Sequence, residues 1–64
     1  MVLINGEQVQ ADDMTLSAYL QTTTYDPKRI AVERNGDIVP KAQYDTTLLQ
    51  AGDTIEIVSF VGGG

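Results

Sequence analysis

The chain has 64 residues, enough for one small domain and too few for a second hydrophobic core. It contains neither Cys nor His, which excludes disulfides, thiolate metal sites, a cysteine nucleophile and the usual general base at neutral pH. Nine acidic residues against four basic ones give a formal net charge of -5, which disfavours nucleic acid and anionic membranes as partners. An autonomous enzyme is therefore not expected, and a hydrolase is a distant alternative.

The apolar runs of the sequence are short. The longest cover residues 1–4 and 57–61, and neither is long enough to cross a bilayer or to form the core of a signal peptide. We therefore expect a cytoplasmic protein.

Two Asn-Gly pairs, Asn5-Gly6 and Asn35-Gly36, each lie between apolar segments and predict two β-hairpins. A two-residue turn in the first hairpin pairs Val2 with Val9 and places both on the core face. The second hairpin is expected to pair residues 32–34 with residues 37–39, leaving Ile38 outward. A longer loop would change this second register.

A short helix is predicted between the hairpins, over roughly residues 14–23. Leu16, Tyr19, Leu20 and Thr23 have the spacing of one apolar stripe. Candidate caps precede this stripe at Asp12, Asp13 or Thr15. About ten residues are too few to be helical alone in water, so packing against a sheet must hold the helix in place.

A last strand is predicted over residues 54–60, where Ile55 and Ile57 alternate with Glu56. The order of elements, with one helix between two hairpins, is typical of an α+β fold of the β-grasp (ubiquitin-like) kind. Such a fold has a mixed sheet of about five strands, one main helix across one face, and the terminal strands parallel at the centre. A small open barrel is the alternative. We expect residues 1–61 to form a single domain and residues 62–64 a flexible glycine tail.

Charged residues give no sign of a reactive site. The carboxylates lack the spacing of a metal site, and Asp45 and Asp53 are interpreted as turn residues. The four cations are too dispersed for a nucleic-acid footprint, and Arg34 is expected to pair with Asp37 across the turn.

The carboxyl-terminal segment is the candidate functional region. Three glycines, Gly62, Gly63 and Gly64, add nothing to a core but could enter a narrow channel, because no side chain obstructs them. Frayed disorder or an expression scar is the structural alternative for these glycines. Val58 and Phe60 are expected on the strand face opposite the core, where with Val61 and Leu3 they could form an apolar docking patch. A central strand covered on both faces is the alternative for them.

Four segments together resemble the ThiS family of thiamin-biosynthesis sulfur carriers, ubiquitin-like proteins related to the molybdopterin carrier MoaD. They are residues 4–7 (INGE), 31–40 (AVERNGDIVP), 49–58 (LQAGDTIEIV) and 60–64 (FVGGG). The resemblance spans essentially the whole chain. The third glycine departs from the family's diglycine; if Gly64 were added in cloning, Gly63 would be the true acceptor.

The resemblance implies that Gly64 is the modified residue, with Gly62 and Gly63 completing the carrier tail and with Val58, Phe60 and Val61 in the docking surface. An adenylating enzyme of the ThiF type would activate the terminal carboxylate, using ATP and magnesium that the chain itself does not bind. A persulfide derived from a cysteine desulfurase would supply the sulfur, and thiazole synthase would receive it from the thiocarboxylate.

Two other classes stay open from the sequence. One is a ubiquitin-like modifier, or a sulfur carrier for another pathway such as that of molybdopterin. The other is a plain interaction module whose glycines have no role.

Overall fold

The computed structural model describes residues 1–60, which form one mixed sheet covered on one face by a single short helix. The strands are β1 (Val2–Ile4), β2 (Glu7–Val9), β3 (Ile30–Arg34), β4 (Asp37–Ile38) and β5 (Thr54–Ser59), and the helix is α1 (Leu16–Gln21). Two 3₁₀ turns, Pro27–Arg29 and Lys41–Gln43, lie before β3 and after β4. The expected β-grasp arrangement is confirmed.

The sheet has the order β2-β1-β5-β3-β4 and is open rather than closed into a barrel. The parallel pair β1–β5 joins the first and last strands, and every other pair is antiparallel. Strand β5 therefore has a neighbour on each side. It is the last strand of the described residues and lies in the middle of the sheet.

Both Asn-Gly turns have the conformation that the sequence predicts. Asn5 and Gly6 have φ of 48° and 83°, and Asn35 and Gly36 have φ of 52° and 90°. Positive φ at both central residues defines the type I′ turn, which favours Asn followed by Gly. The registers Val2 with Val9 and Arg34 with Asp37 are confirmed, and Ile38 is 63% exposed as expected.

Helix α1 is shorter than predicted. Thr15 caps it by accepting a hydrogen bond from the Ala18 N–H at 3.1 Å, so the helix begins at Leu16. At its other end the hydroxyls of Thr22 and Thr23 donate to the carbonyls of Tyr19 and Leu20. The helix ends at Gln21 because these side-chain hydrogen bonds of the β-branched threonines compete with the backbone hydrogen bonds that would continue it.

The core lies between α1 and the inner face of the sheet. Leu16 and Leu20 of the helix are buried in it, and the segment after β4 adds the buried residues Val39, Tyr44 and Leu49. The remaining core residues are Val2, Ile4, Ala11, Ile30, Val32, Ile55 and Ile57. At about 25 cal/mol per Å² of apolar surface removed from water, these residues supply most of the favourable free energy of folding.

Candidate functional site at the end of the central strand

Strand β5 separates its side chains cleanly between the two faces of the sheet. Ile55 and Ile57 are buried against the helix side, whereas Val58 is 56% exposed and Phe60 is 59% exposed. Ala31 lies directly opposite Val58 on β3 and is half-buried. Residues Val58 and Phe60 thus form an exposed apolar end to the strand, on the side of the domain away from the helix.

Leu3 does not belong to this apolar end. It is paired with Thr54, at the beginning of β5, four residues before Val58. At about 3.3 Å per residue along a strand, this separation is roughly 13 Å. The expectation that Leu3 extends the patch is therefore wrong, because the parallel register places it at the opposite end of the sheet.

Asn5 holds β5 just before its exposed end. Its carboxamide accepts a hydrogen bond from the Ile57 N–H at 2.7 Å and donates to the Ile57 carbonyl at 3.1 Å. The same side chain donates to the hydroxyl of Tyr25 at 3.2 Å. Where the backbone of β1 turns away, a side chain thus continues the pairing along β5, and this contact was not foreseen from the sequence.

On its other side, the end of β5 is held by the segment that leads into β3. The Phe60 N–H donates to the Arg29 carbonyl at 2.7 Å, and Ser59 is paired with Ile30. Lys41 secures this segment in turn, since its ammonium donates to the carbonyls of Pro27 and Ile30 at 3.0 and 2.7 Å. The backbone is consequently fixed as far as Phe60, which makes Phe60 a defined point of departure for the residues that follow.

A shallow apolar depression of about 220 Å³ lies beside Phe60. Its walls come from β3, from the segment after β4 and from the aromatic rings of Tyr44 and Phe60. The residues that line it include Ala31, Val32, Ile38, Val39, Pro40 and Tyr44. The depression could accept an apolar side chain of a partner, and it adjoins the exposed strand end.

Asp53, at the turn into β5, is buried in a polar cluster. Its carboxylate accepts hydrogen bonds from Arg34 Nε at 2.9 Å, Asn35 Nδ2 at 3.0 Å and the Gln50 N–H at 2.9 Å. Burial alone would raise the pKa of Asp53, but these hydrogen bonds and the charge of Arg34 hold its pKa below the usual value. Arg34 therefore forms an ion pair with Asp53, and the expected pair with Asp37 is wrong. Asp37 lies directly opposite Arg34 in the register, but the Arg34 guanidinium binds the buried Asp53 carboxylate, which Asn35 and the Gln50 N–H also hold in place.

Four of the predicted site residues, Val61, Gly62, Gly63 and Gly64, lie outside the described residues. Within residues 1–60, no three acidic side chains come together in a way that could hold a metal ion. No helix in that same range is long and apolar enough to span a bilayer.

The strand order, the single helix and the parallel pairing of β1 with β5 among the described residues define a ubiquitin-like β-grasp domain. The model of the ThiS family matches residues 2–64. The chain is 39% identical over 66 residues to the sulfur carrier protein ThiS of Bacillus subtilis, with both sequences covered completely. It therefore belongs to the ThiS family.

Longer relatives contain a segment similar to this chain. The chain is 44% identical over 64 residues to a thiazole synthase of Paramagnetospirillum magneticum and 40% identical over 62 residues to one of Magnetococcus marinus. It spans 20% and 19% of the lengths of these two proteins.

A solved structure agrees with the fold. The crystal structure of the thiamine biosynthesis protein ThiS from Geobacter metallireducens superposes with a TM-score of 0.79 at 27% identity, covering 98% of this chain and 97% of that one. The fold class expected from the sequence is thus shared with a member of the family.

Proposed function

We propose that this chain carries sulfur for the thiazole ring of thiamin on the carboxylate of Gly64, as a thiocarboxylate. The observation that carries the proposal is the similarity to the sulfur carrier protein of Bacillus subtilis, which covers the full length of both chains at 39% identity. The geometry supports it, because β5 ends at an exposed apolar surface and Gly64 lies only four residues beyond Phe60.

Activation must come from a partner, because a carboxylate is a poor electrophile and the chain contains neither Cys nor His. A ThiF-type enzyme, using ATP and magnesium, joins the Gly64 carboxylate to AMP and releases pyrophosphate. The terminal sulfur of a persulfide derived from a cysteine desulfurase then attacks the acyl carbon and AMP leaves. A thiol then attacks the donor's sulfur in the resulting acyl disulfide, which forms a disulfide between thiol and donor and releases the thiocarboxylate on the carrier. The chain itself is not catalytic and binds no cofactor in this scheme.

Thiazole synthase is the proposed acceptor of the sulfur. Two proteins of that name contain a segment 40% or more identical to this chain, so carrier and acceptor occur within one polypeptide in those organisms. Such a fusion keeps the two at high effective concentration. The reaction uses ATP and a persulfide, and we place it in the cytoplasm.

The docking surface for these enzymes is assigned to Val58 and Phe60, together with Val61. Exposed apolar side chains beside a departing chain end favour contact with another protein, because burying them removes apolar surface from water. Residues 62–64 act as the carrier tail. Glycines present no side chain, so an enzyme channel can close tightly around the backbone next to the reacting carbonyl.

The experiment that tests this function is intact-mass analysis. The chain is incubated with ATP, magnesium, a ThiF-type enzyme, a cysteine desulfurase and cysteine, and the expected product is heavier by the difference between one sulfur and one oxygen atom. Fragmentation should place the change on Gly64. A mass increase equal to that of a second protein, with an isopeptide bond to lysine, would instead identify a ubiquitin-like modifier. No change in mass under these conditions would contradict the proposal.

A further inference from the structure

Two glutamates face each other across neighbouring strands on the outer face of the sheet. Glu33 of β3 and Glu56 of β5 are directly paired in the register, and both are exposed. Paired residues on adjacent antiparallel strands lie close together on one face, and like charges in this position are destabilising. This arrangement therefore does not contribute to the stability of the isolated domain.

The part of the chain covered by residues 1–60 does not neutralise the two charges. Its ion pairs among side chains join Arg29 to Asp26 and Arg34 to Asp53, and neither includes Glu33 or Glu56. Lys41 is directed at two backbone carbonyls. The pair thus presents two adjacent carboxylates to solvent.

Apolar side chains border this acidic pair on two sides. Ile38, 63% exposed, is paired with Glu33 on β4, and Val58 follows Glu56 by two residues on the same face of β5. The acidic pair, Ile38, Val58 and Phe60 together form what is called here the outer docking face. It is continuous with the apolar end of β5 to which contact with the enzymes was assigned above.

The length of chain after this face limits what can cover it. Gly64 lies four residues beyond Phe60, and four fully extended residues reach at most about 14 Å. An enzyme that encloses the Gly64 carboxylate must therefore lie against the end of β5, within reach of Val58 and its neighbours. Every enzyme that acts on the Gly64 carboxylate must lie near the outer docking face, and in the proposed reaction the activating enzyme is the first to do so.

We propose that the activating enzyme docks on the outer docking face through an arginine that bridges Glu33 and Glu56, flanked by apolar side chains that cover Ile38 and Val58. The planar guanidinium suits this role, because it can donate to two carboxylates at once and is more weakly hydrated than an ammonium group. The two glutamates raise the rate of encounter with a basic surface and disfavour an acidic one. This inference rests on the proposed function. It adds the chemical nature of the partner's surface and the residues of this chain that contact that surface.

The test compares the double variant Glu33→Gln/Glu56→Gln with a matched control, Glu7→Gln. Glu7 is also exposed but lies on β2, at the far edge of the sheet. Binding to a purified ThiF-type enzyme is measured by titration calorimetry without ATP, and adenylation is followed separately by pyrophosphate release. The double variant should bind about tenfold more weakly than the unaltered chain at low salt. Its affinity should also depend less on salt. The control should bind like the unaltered chain.

Thermal unfolding separates docking from a structural role. Removing two facing charges should leave the unfolding temperature of the double variant unchanged or higher. A lower unfolding temperature would show that the glutamates support the sheet and would overturn the inference. Equal binding of the double variant and the unaltered chain would also overturn it, while leaving the proposed function intact.

The two proposals fail in different ways. If the unaltered chain binds the enzyme but is not adenylated, the proposed function is wrong, and the weaker or equal binding of the double variant still decides whether Glu33 and Glu56 make the contact. If the unaltered chain does not bind the enzyme at all, both proposals are overturned.

Discussion

Replacement of Asp53 by Asn tests how the polar cluster at the start of β5 stabilises the domain. The carboxylate accepts three hydrogen bonds, from Arg34, Asn35 and the Gln50 N–H, and the Asp53 side chain is 10% exposed. Asparagine has nearly the same shape but no charge. Its NH2 group replaces one of the two accepting oxygens, so an N–H donor of the side chain faces the N–H donor of a partner. At least one partner therefore loses its acceptor in a buried position.

The size of this loss follows from the contacts. A hydrogen bond to a charged group contributes about 1.5–3 kcal/mol, and breaking a fully buried ion pair by removing one partner costs about 3–5 kcal/mol. Arg34 is 34% exposed, so solvent screens part of the effect. We expect Asp53→Asn to lower the free energy of unfolding by about 2–3 kcal/mol. A domain of this length has a total free energy of unfolding of roughly 3–10 kcal/mol.

The assay is urea unfolding at several pH values, with Asp37→Asn as the control. Asp37 is exposed and undergoes the same chemical change. The pKa of Asp53 is lowered in the folded state, so its stabilising effect is complete above the unfolded pKa of about 3.9 and is lost as the pH falls through the lower folded pKa. The difference between the unaltered chain and Asp53→Asn should thus be constant from pH 7 to about pH 5 and shrink below about pH 4.

Two results would refute this reasoning. One is a change in free energy no larger than that of Asp37→Asn. The other is a difference that does not narrow at acid pH, since the hydrogen bonds to the carboxylate are what the variant removes.

Three further changes test the strand end and the tail. Phe60→Asp should leave the unfolding temperature near that of the unaltered chain, since the ring is 59% exposed, while raising KM for adenylation; Phe60→Leu is the control, and unfolding of the Asp variant would contradict the exposed-patch interpretation. Gly63→Val should suppress adenylation, measured by pyrophosphate release, because a branched side chain crowds the approach to the Gly64 carbonyl, and normal activation would count against a role for the tail. Asn5→Asp keeps the acceptor for the Ile57 N–H but loses the donor to the Ile57 carbonyl. We therefore expect the free energy of unfolding, measured in urea, to fall by about 1–2 kcal/mol. An unchanged urea midpoint would show that the contact with β5 does not stabilise the fold.

The candidate site was predictable from the sequence only in part. Alternation along one strand is enough to place Val58 and Phe60 opposite Ile55 and Ile57, since successive side chains of a strand point to opposite faces. The same reasoning could not place Leu3, because its distance from Val58 depends on how two strands at opposite ends of the chain are aligned. The roles of Val58, Phe60 and Val61 in docking, and the role of the glycine tail, stay predictions.

What the sequence by itself determined is local: both Asn-Gly turns, the hairpin registers they impose, and the inward and outward faces of each strand. These follow from φ preferences and from a side-chain period that acts between near neighbours. Only the tertiary structure decided the contacts made on β5, which include the Asn5 carboxamide on Ile57, 52 residues away, the ion pair of Arg34 with Asp53, and the pairing of Glu33 with Glu56. Strand β5 is separated from its partners by long stretches of chain, so no turn fixes its alignment. Burial of Ile55 and Ile57 under the helix sets that alignment instead, and the polar contacts follow from it.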